Sequence, residues 1–142
     1  MEDTFDLNRF IEKQDLHFPQ ALMEIKSGEK EGHWMWYIFP QCKGLGRSAR
    51  SHKYAIKSSE EAQAYFEHPI LRARLIEIAQ AFLELENRTA LEVLASPDHI
   101  KMKSCMTLFN EIQTEAVVFS EVLNKYFGGL KCNRTVDFLQ TH

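Results

Sequence analysis

His33 stands beside two indoles and a phenol in the run His33-Trp34-Met35-Trp36-Tyr37-Ile38-Phe39-Pro40-Gln41, which passes directly into Cys42-Lys43-Gly44-Leu45-Gly46-Arg47-Ser48. An imidazole in that setting can act as acid or base, and aromatic faces can stack on a planar ligand. On a helix, residues 34 and 36 point about 200° apart, so at most one of the two tryptophans lines a given pocket. The Gly44-x-Gly46 spacing permits left-handed backbone and close approach, and Ser48 opens a helix whose free N–H groups face the loop. Such a loop, from Gln41 to Ser48, cradles a phosphate or carboxylate. From Cys42 to Ser59 the chain carries Lys43, Arg47, Arg50, Lys53 and Lys57 and no carboxylate, a local positive field in a chain of net charge −3.

A second group lies in Lys101-Met102-Lys103-Ser104-Cys105-Met106-Thr107. Lys103 and Thr107 are four residues apart, one polar stripe on a helix. With Ser104 they are of the types that grip an anion or supply a hydroxyl. Cys105 falls on the apolar stripe and reads as a small core hydrophobe. The six histidines show no HExxH, no i,i+4 pair and no Cys/His ligand spacing, so no metal site is expected. No P-loop or dinucleotide fingerprint is present, and no cofactor is expected. Plainer readings stay open for every group: a simple glycine turn, cations on a solvated helix face, tryptophans filling core volume.

These residues need a scaffold. At 142 residues the chain is long enough to bury a core, and one domain spanning 1–142 is expected. Apolar and charged fractions of 44% and 26% fit a globular protein and exclude disordered and collagen-like classes. The acidic balance, with pI near 6.1, argues against general nucleic-acid affinity. Three cysteines, Cys42, Cys105 and Cys132, have no CxxC spacing and suit reduced thiols. The acidic start lacks a signal peptide's basic and apolar regions, and the longest apolar run falls short of the about 20 residues a membrane helix needs. A cytoplasmic location without membrane contact is expected.

The pattern along the chain is helical. Phe5, Leu7, Phe10 and Ile11 predict a first helix capped by Asp6, broken near Asp15-Leu16-His17. Pro19 then starts a second, with Leu22, Ile25 and Met23 inward, that stops at Gly28. The 34–39 run predicts a buried helix ended by Pro40. Ser48, Ser58-x-x-Glu61, Pro69, Thr89-x-x-Glu92 and Ser96-Pro97-Asp98 open further helices. Thr114-Glu115 opens another, and a last one near 135–140 buries Val136 and Leu139. The expected fold is all-α, a compact single-domain bundle of roughly seven to nine helices.

The run from His33 to Gln41, Gly44-Leu45-Gly46 and Ser48 resembles the signature of a bacterial family known as domain of unknown function 1810. The resemblance begins at Leu7-x-Arg9-Phe10. It continues through Tyr54-Ala55-Ile56, Glu61-Ala62-x-Ala64-Tyr65, His68-Pro69, Lys101-x-x-Ser104, Met106-Thr107-Leu108-Phe109 and Phe127-x-Gly129. It implies a small all-helical fold and brings no activity. Some members carry the label calpastatin, but inhibitors of that kind are largely disordered and repetitive, unlike this chain. Members usually have glycine where Arg72 stands, serine where Cys105 stands and often an acidic residue near Asn133.

Two functional expectations of different classes follow, with a third beside them. The first is a binding protein for a small anion, phosphate-bearing or nucleotide-like, at the His33–Ser48 stretch, with His33 and Trp36 as its wall and Gln41, Gly44, Gly46, Arg47, Ser48, Lys103 and Thr107 holding the anion. The second is an enzyme on the same cleft, with His33 as acid or base and Ser104 or Thr107 as hydroxyl partner. The third is a scaffold for protein partners, which requires His33, Trp34 and Trp36 all to be buried with no cleft beside them.

Overall fold

Short-range capping opens four of the helices, and glycines end two. The computed structural model describes residues 3–142. Among them are nine helices and no strand: α1 (Asn8–Ser27), α2 (Met35–Ile38), α3 (Ala49–Lys53), α4 (Ser59–Glu67), α5 (Pro69–Leu83), α6 (Ala90–Leu94), α7 (Asp98–Ile112), α8 (Val118–Phe127) and α9 (Asn133–Thr141). Ser48, Ser58 and Thr89 each accept the N–H of the residue three positions on, and the Glu92 carboxylate returns a bond to the Thr89 N–H. His68 Nδ1 accepts the Ile70 N–H, with Pro69 in the first turn of α5. Gly28 and Gly128 end α1 and α8 in the left-handed region, at φ +83° and +62°.

Several expectations are corrected. α1 runs unbroken through Pro19, because Phe10, Gln14, Phe18, Ala21 and Ile25 keep one buried stripe on both sides of it, packed against α2 and α5. Pro19 sits on the exposed face, where water can take the carbonyl its missing N–H leaves free. Met23 is 64% exposed, on the face away from the stripe. Asp6, at φ +53°, does not cap α1; the Asp3 carboxylate accepts the N–H groups of Leu7 and Asn8 at 2.7 and 2.8 Å. The aromatic run forms a single helical turn. Pro97 stands before α7 rather than in it, and Asp98 opens the helix with Lys30 at 2.8 Å and Lys101 at 3.0 Å from its carboxylate. α8 begins at Val118 rather than Thr114, and α9 buries Thr135 and Phe138 while Val136 and Leu139 stay half-buried.

α7 is the central element. α4, α6, α8 and α9 pack around it, so Met102 and every residue from Ser104 to Phe109 are buried. One apolar cluster draws on every helix except α3. Aromatic contacts run through it from Phe10 to Tyr65 (5.1 Å between centroids), on to Phe109 (5.3 Å) and Phe119 (5.9 Å). Among the described residues no helix is long and apolar enough to cross a membrane.

Two polar ties join α1 to the segments around the aromatic run. Arg9 is buried and forms an ion pair with buried Glu61 at 2.6 Å. Its other N–H groups donate to the carbonyls of Phe5, Asp6, Lys53 and Ala55 at 2.6–3.0 Å. Glu24, farther along α1, accepts Trp34 Nε1 and the N–H groups of Glu31 and Gly32 on one oxygen at 2.8–2.9 Å, and Gln20 on the other at 2.7 Å. Burial pushes this carboxyl up, but hydrogen bonds from Gly32, Gln20, Glu31 and Trp34 outweigh it and hold the pKa at about 2.

Candidate functional site

The Gln41–Ser48 loop is fastened rather than loose. Cys42 and Ile56 form an isolated parallel bridge, in which the Ile56 N–H donates to Gln41 and the Lys43 N–H to Ile56, both at 2.8 Å. Ile56 adjoins the segment that Arg9 and Glu61 hold. Arg134, in the first turn of α9, donates from Nη2 to the Gly44 carbonyl at 2.9 Å and latches the tip of the loop. Gly46 lies flat against its surroundings. A Cβ there would stand 2.5 Å from Ser51 Cβ and 3.1 Å from Trp36 Cη2. Gly46→Ala is expected to lower stability by about 1–3 kcal/mol, through overpacking, and to move the Trp36 ring. Urea unfolding and the tryptophan emission spectrum check both parts.

Beside this loop opens a cleft of about 390 Å³. One wall is Trp36, Gln41, Leu45, Gly46, Arg47 and Ser48; the other is Pro97, Ile100, Lys101 and Ser104 around α7, with Cys132 and Arg134 at the start of α9. Trp36 is half-buried, and Lys101 Nζ sits 3.8 Å from its ring centroid. Asp98 offsets the Lys101 charge, whereas Arg47 is exposed and makes no ion pair with a described residue. Gln41 is only 6% exposed, yet its side-chain amide has no hydrogen-bond partner among the described residues. It lines the cleft and is not sealed off from it. Ser104 Oγ lies 3.2 Å from the Ile100 carbonyl and 3.4 Å from Cys132 Sγ.

The structure therefore brings together Trp36, Gln41, Gly46, Arg47, Ser48 and Ser104. Gly44 lines a narrow gap beneath the loop instead, at φ +97° with its carbonyl taken by Arg134. Thr107 does not line the cleft: it is fully buried, donating to the Lys103 carbonyl at 2.8 Å and accepting the Cys132 N–H at 3.0 Å. Lys103 does not line it either, because α7 presents Ile100, Lys101 and Ser104 on this side. His33 is exposed and lines an adjoining hollow of about 110 Å³ with Lys30, Met35, Trp36, Arg50, Asp98 and Lys101, of which Trp36 and Lys101 also line the cleft. Its ring has no hydrogen bond to a described residue, and it shares no cavity with Ser104 or Thr107. The arrangement thus lacks the His33–hydroxyl pairing that catalysis was expected to use. An exposed His33 and a Trp36 opening on a cleft also depart from the all-buried arrangement required of a pure scaffold; only Trp34, at 2% exposure, meets it.

Lys101, Cys132 and Arg134 were not among the expected site residues. Lys101 had a usable signal in its i,i+3 spacing to Ser104. The other two had none, since their place beside the loop depends on contacts across the whole chain. Among the described residues no three His, Cys, Asp or Glu side chains converge to hold a metal ion.

Comparison with known proteins adds kinship without a role. A family model described as protein of unknown function (DUF1810) matches residues 4–139. The chain is similar to the crystal structure of the conserved hypothetical protein Rv1873 from Mycobacterium tuberculosis. Identity is 40%, the match covers 99% of this chain and 100% of that one, and the TM-score is 0.96. No curated protein matches the chain.

Proposed function

The chain belongs to the family of proteins of unknown function DUF1810, and from that starting point we propose that it binds a small organic anion in the cleft beside the Gln41–Ser48 loop. The observation that carries this reading is convergence in one cleft: the buried, unpaired Gln41 amide, the Trp36 ring, and the cations Arg47, Lys101 and Arg134. A volume of about 390 Å³ falls in the range of small-molecule sites. Four segments that carry the family resemblance contribute: Trp36 with Gln41, Leu45-Gly46, Ser48, and Lys101 with Ser104.

Each part has a task. Arg47, not committed to a carboxylate, supplies charge for a phosphate or carboxylate group. Trp36, Leu45, Pro97 and Ile100 give an apolar bed for the body of the ligand, and a planar body suits the indole face. Gln41 offers both a donor and an acceptor, and a buried amide left unpaired disfavours any ligand that cannot match it. The ligand is therefore an anion with a flat or apolar body and at least one hydrogen-bonding group within it.

A thermal-shift screen of phosphorylated metabolites, nucleotides and aromatic carboxylates tests the reading. A ligand present at about 100 times its dissociation constant adds about 2.7 kcal/mol of stability. Arg47→Ala, at an exposed position, is expected to leave the unliganded melting point unchanged and to weaken binding about tenfold or more. An absence of any shift across the set, or a shift that Arg47→Ala and Trp36→Ala both leave intact, counts against the cleft.

A further inference from the structure

The three cysteines occupy three different environments. Cys42 is 3% exposed and Cys105 is fully buried, and burial pushes both thiols up. Cys132 is half-buried, lines the cleft, and holds the N-cap position of the nine-residue α9. Burial pushes its thiol up, but the Ser104 hydroxyl, 3.4 Å from Sγ, and the polar groups of Thr135 and Arg134 at the start of α9 outweigh this. The net shift is downward. The Ser104 hydroxyl carries one proton with two acceptors in reach, the Ile100 carbonyl and Cys132 Sγ. A thiolate is the stronger acceptor, so ionisation of Cys132 draws that proton to it.

Gln41, more than nine-tenths buried, lines the same cleft with its amide unpaired among the described residues. The cations Arg47 and Arg134 line it too. The cleft thus pairs a nucleophile with groups that hold an anionic body carrying amide-like or carboxylate oxygens.

We propose that Cys132 is the nucleophilic thiol of this cleft and forms a mixed disulfide with small anionic disulfides bound there. The proposal rests on the anion-binding reading above. Cys132 gives its proton to solvent, and the thiolate attacks one sulfur of R–S–S–R. The Cys132–S–S–R bond forms as the original S–S bond breaks, and the departing R–S⁻ carries off the electron pair. The disulfide is itself the oxidant, so no further reactant is needed. The favoured R group bears a carboxylate for Arg47 and Arg134 and a flat or peptide-like body for Trp36 and Gln41.

The experiment uses the intact native chain, with dithiobis(nitrobenzoate) as the anionic disulfide and dithiodipyridine as a neutral one. Release of the leaving thiolate is followed, and the modified cysteine is located by peptide mass mapping. The expected result with the anionic reagent is one fast equivalent at Cys132, saturating with concentration and about tenfold or more faster than a free cysteine. The fast phase is expected to disappear in Cys132→Ser, to slow and lose saturation in Arg47→Ala, and to shift its pH midpoint upward in Ser104→Ala. Modification of Cys42 or Cys105 first, or a Cys132 rate no greater than that of free cysteine, overturns the proposal. If nitrobenzoate, which has no sulfur, stabilises the protein while Cys132 stays slow, the proposal fails and the binding reading stands. If Cys132 is fast with both reagents but saturates with neither, the anion-binding reading fails and the proposal falls with it.

Discussion

Arg9→Ala is expected to destabilise the protein by about 3–5 kcal/mol, the range for orphaning one half of a buried ion pair. Arg9 is 8% exposed and Glu61 2%. Removing the guanidinium leaves the Glu61 carboxylate enclosed with the Lys57 N–H on its other oxygen. It also strips a donor from the carbonyls of Phe5, Asp6, Lys53 and Ala55. Against a total folding stability of about 5–15 kcal/mol, this is a large share. Urea unfolding measures it through the transition midpoint. The double replacement Arg9→Met with Glu61→Leu is expected to cost less than Arg9→Ala, because it leaves no buried charge without a partner. A loss below about 1 kcal/mol in Arg9→Ala would show that water reaches Glu61 and relieves it. The damage is expected to spread to the cleft, since Lys53 and Ala55 flank the residues that fasten the Gln41–Ser48 loop.

The second large effect depends on pH. Glu24 holds its carboxyl at about 2 in the folded chain against an ordinary 4.5. A depressed folded value means that the carboxylate stabilises the protein fully above the unfolded pKa and stops doing so as pH falls through the folded one. At about 1.4 kcal/mol per unit, the loss between pH 4.5 and pH 2 comes to about 3 kcal/mol. Glu24→Gln isolates this contribution from other acidic groups. It keeps one acceptor oxygen but turns an amide toward the Gln20 donor, and it cannot ionise. The stability difference between the two proteins is expected to be large near pH 7 and to shrink steadily below about pH 4.5. Urea unfolding at several pH values checks it, and a difference that stays constant down to about pH 2 rules the mechanism out.

Features decided within three or four residues were legible in the sequence. The Thr89-x-x-Glu92 box forms as its spacing implies, and Gly28 ends α1 by geometry that its own backbone permits. Ser58 caps the Glu61 N–H, but the Glu61 carboxylate turns to the Lys57 N–H and Arg9 and leaves that box half-made. Legibility failed where tertiary burial overrode a local sign. Pro19 reads as a helix start, yet packing on both sides of it carries α1 through. Thr107 reads as part of a polar stripe, but α7 is wrapped by neighbours on nearly all sides, and the hydroxyl serves the backbone of Cys132. His33 was misplaced for a related reason. It adjoins the aromatic turn in sequence but precedes its first helical residue, so it faces a different hollow from Trp36's main cleft. One wall of the cleft was readable because its residues all fall within the one short stretch from Trp36 to Ser48. The opposite wall was not, since no spacing rule connects Arg134 with Gly44.

That connection spans 90 residues, and Cys42 meets Thr135 across 93. A ribosome completes the Trp36–Ser48 wall well before it reaches the residues that face it. At ordinary elongation rates the interval is roughly 5 to 20 s. Throughout it the tip of the loop lacks its latch, and for about the first half the indole of Trp36 and the side chain of Leu45 also lack their neighbours from α7. The cleft is therefore completed late in the life of each newborn chain, and its first wall waits exposed until the second is made.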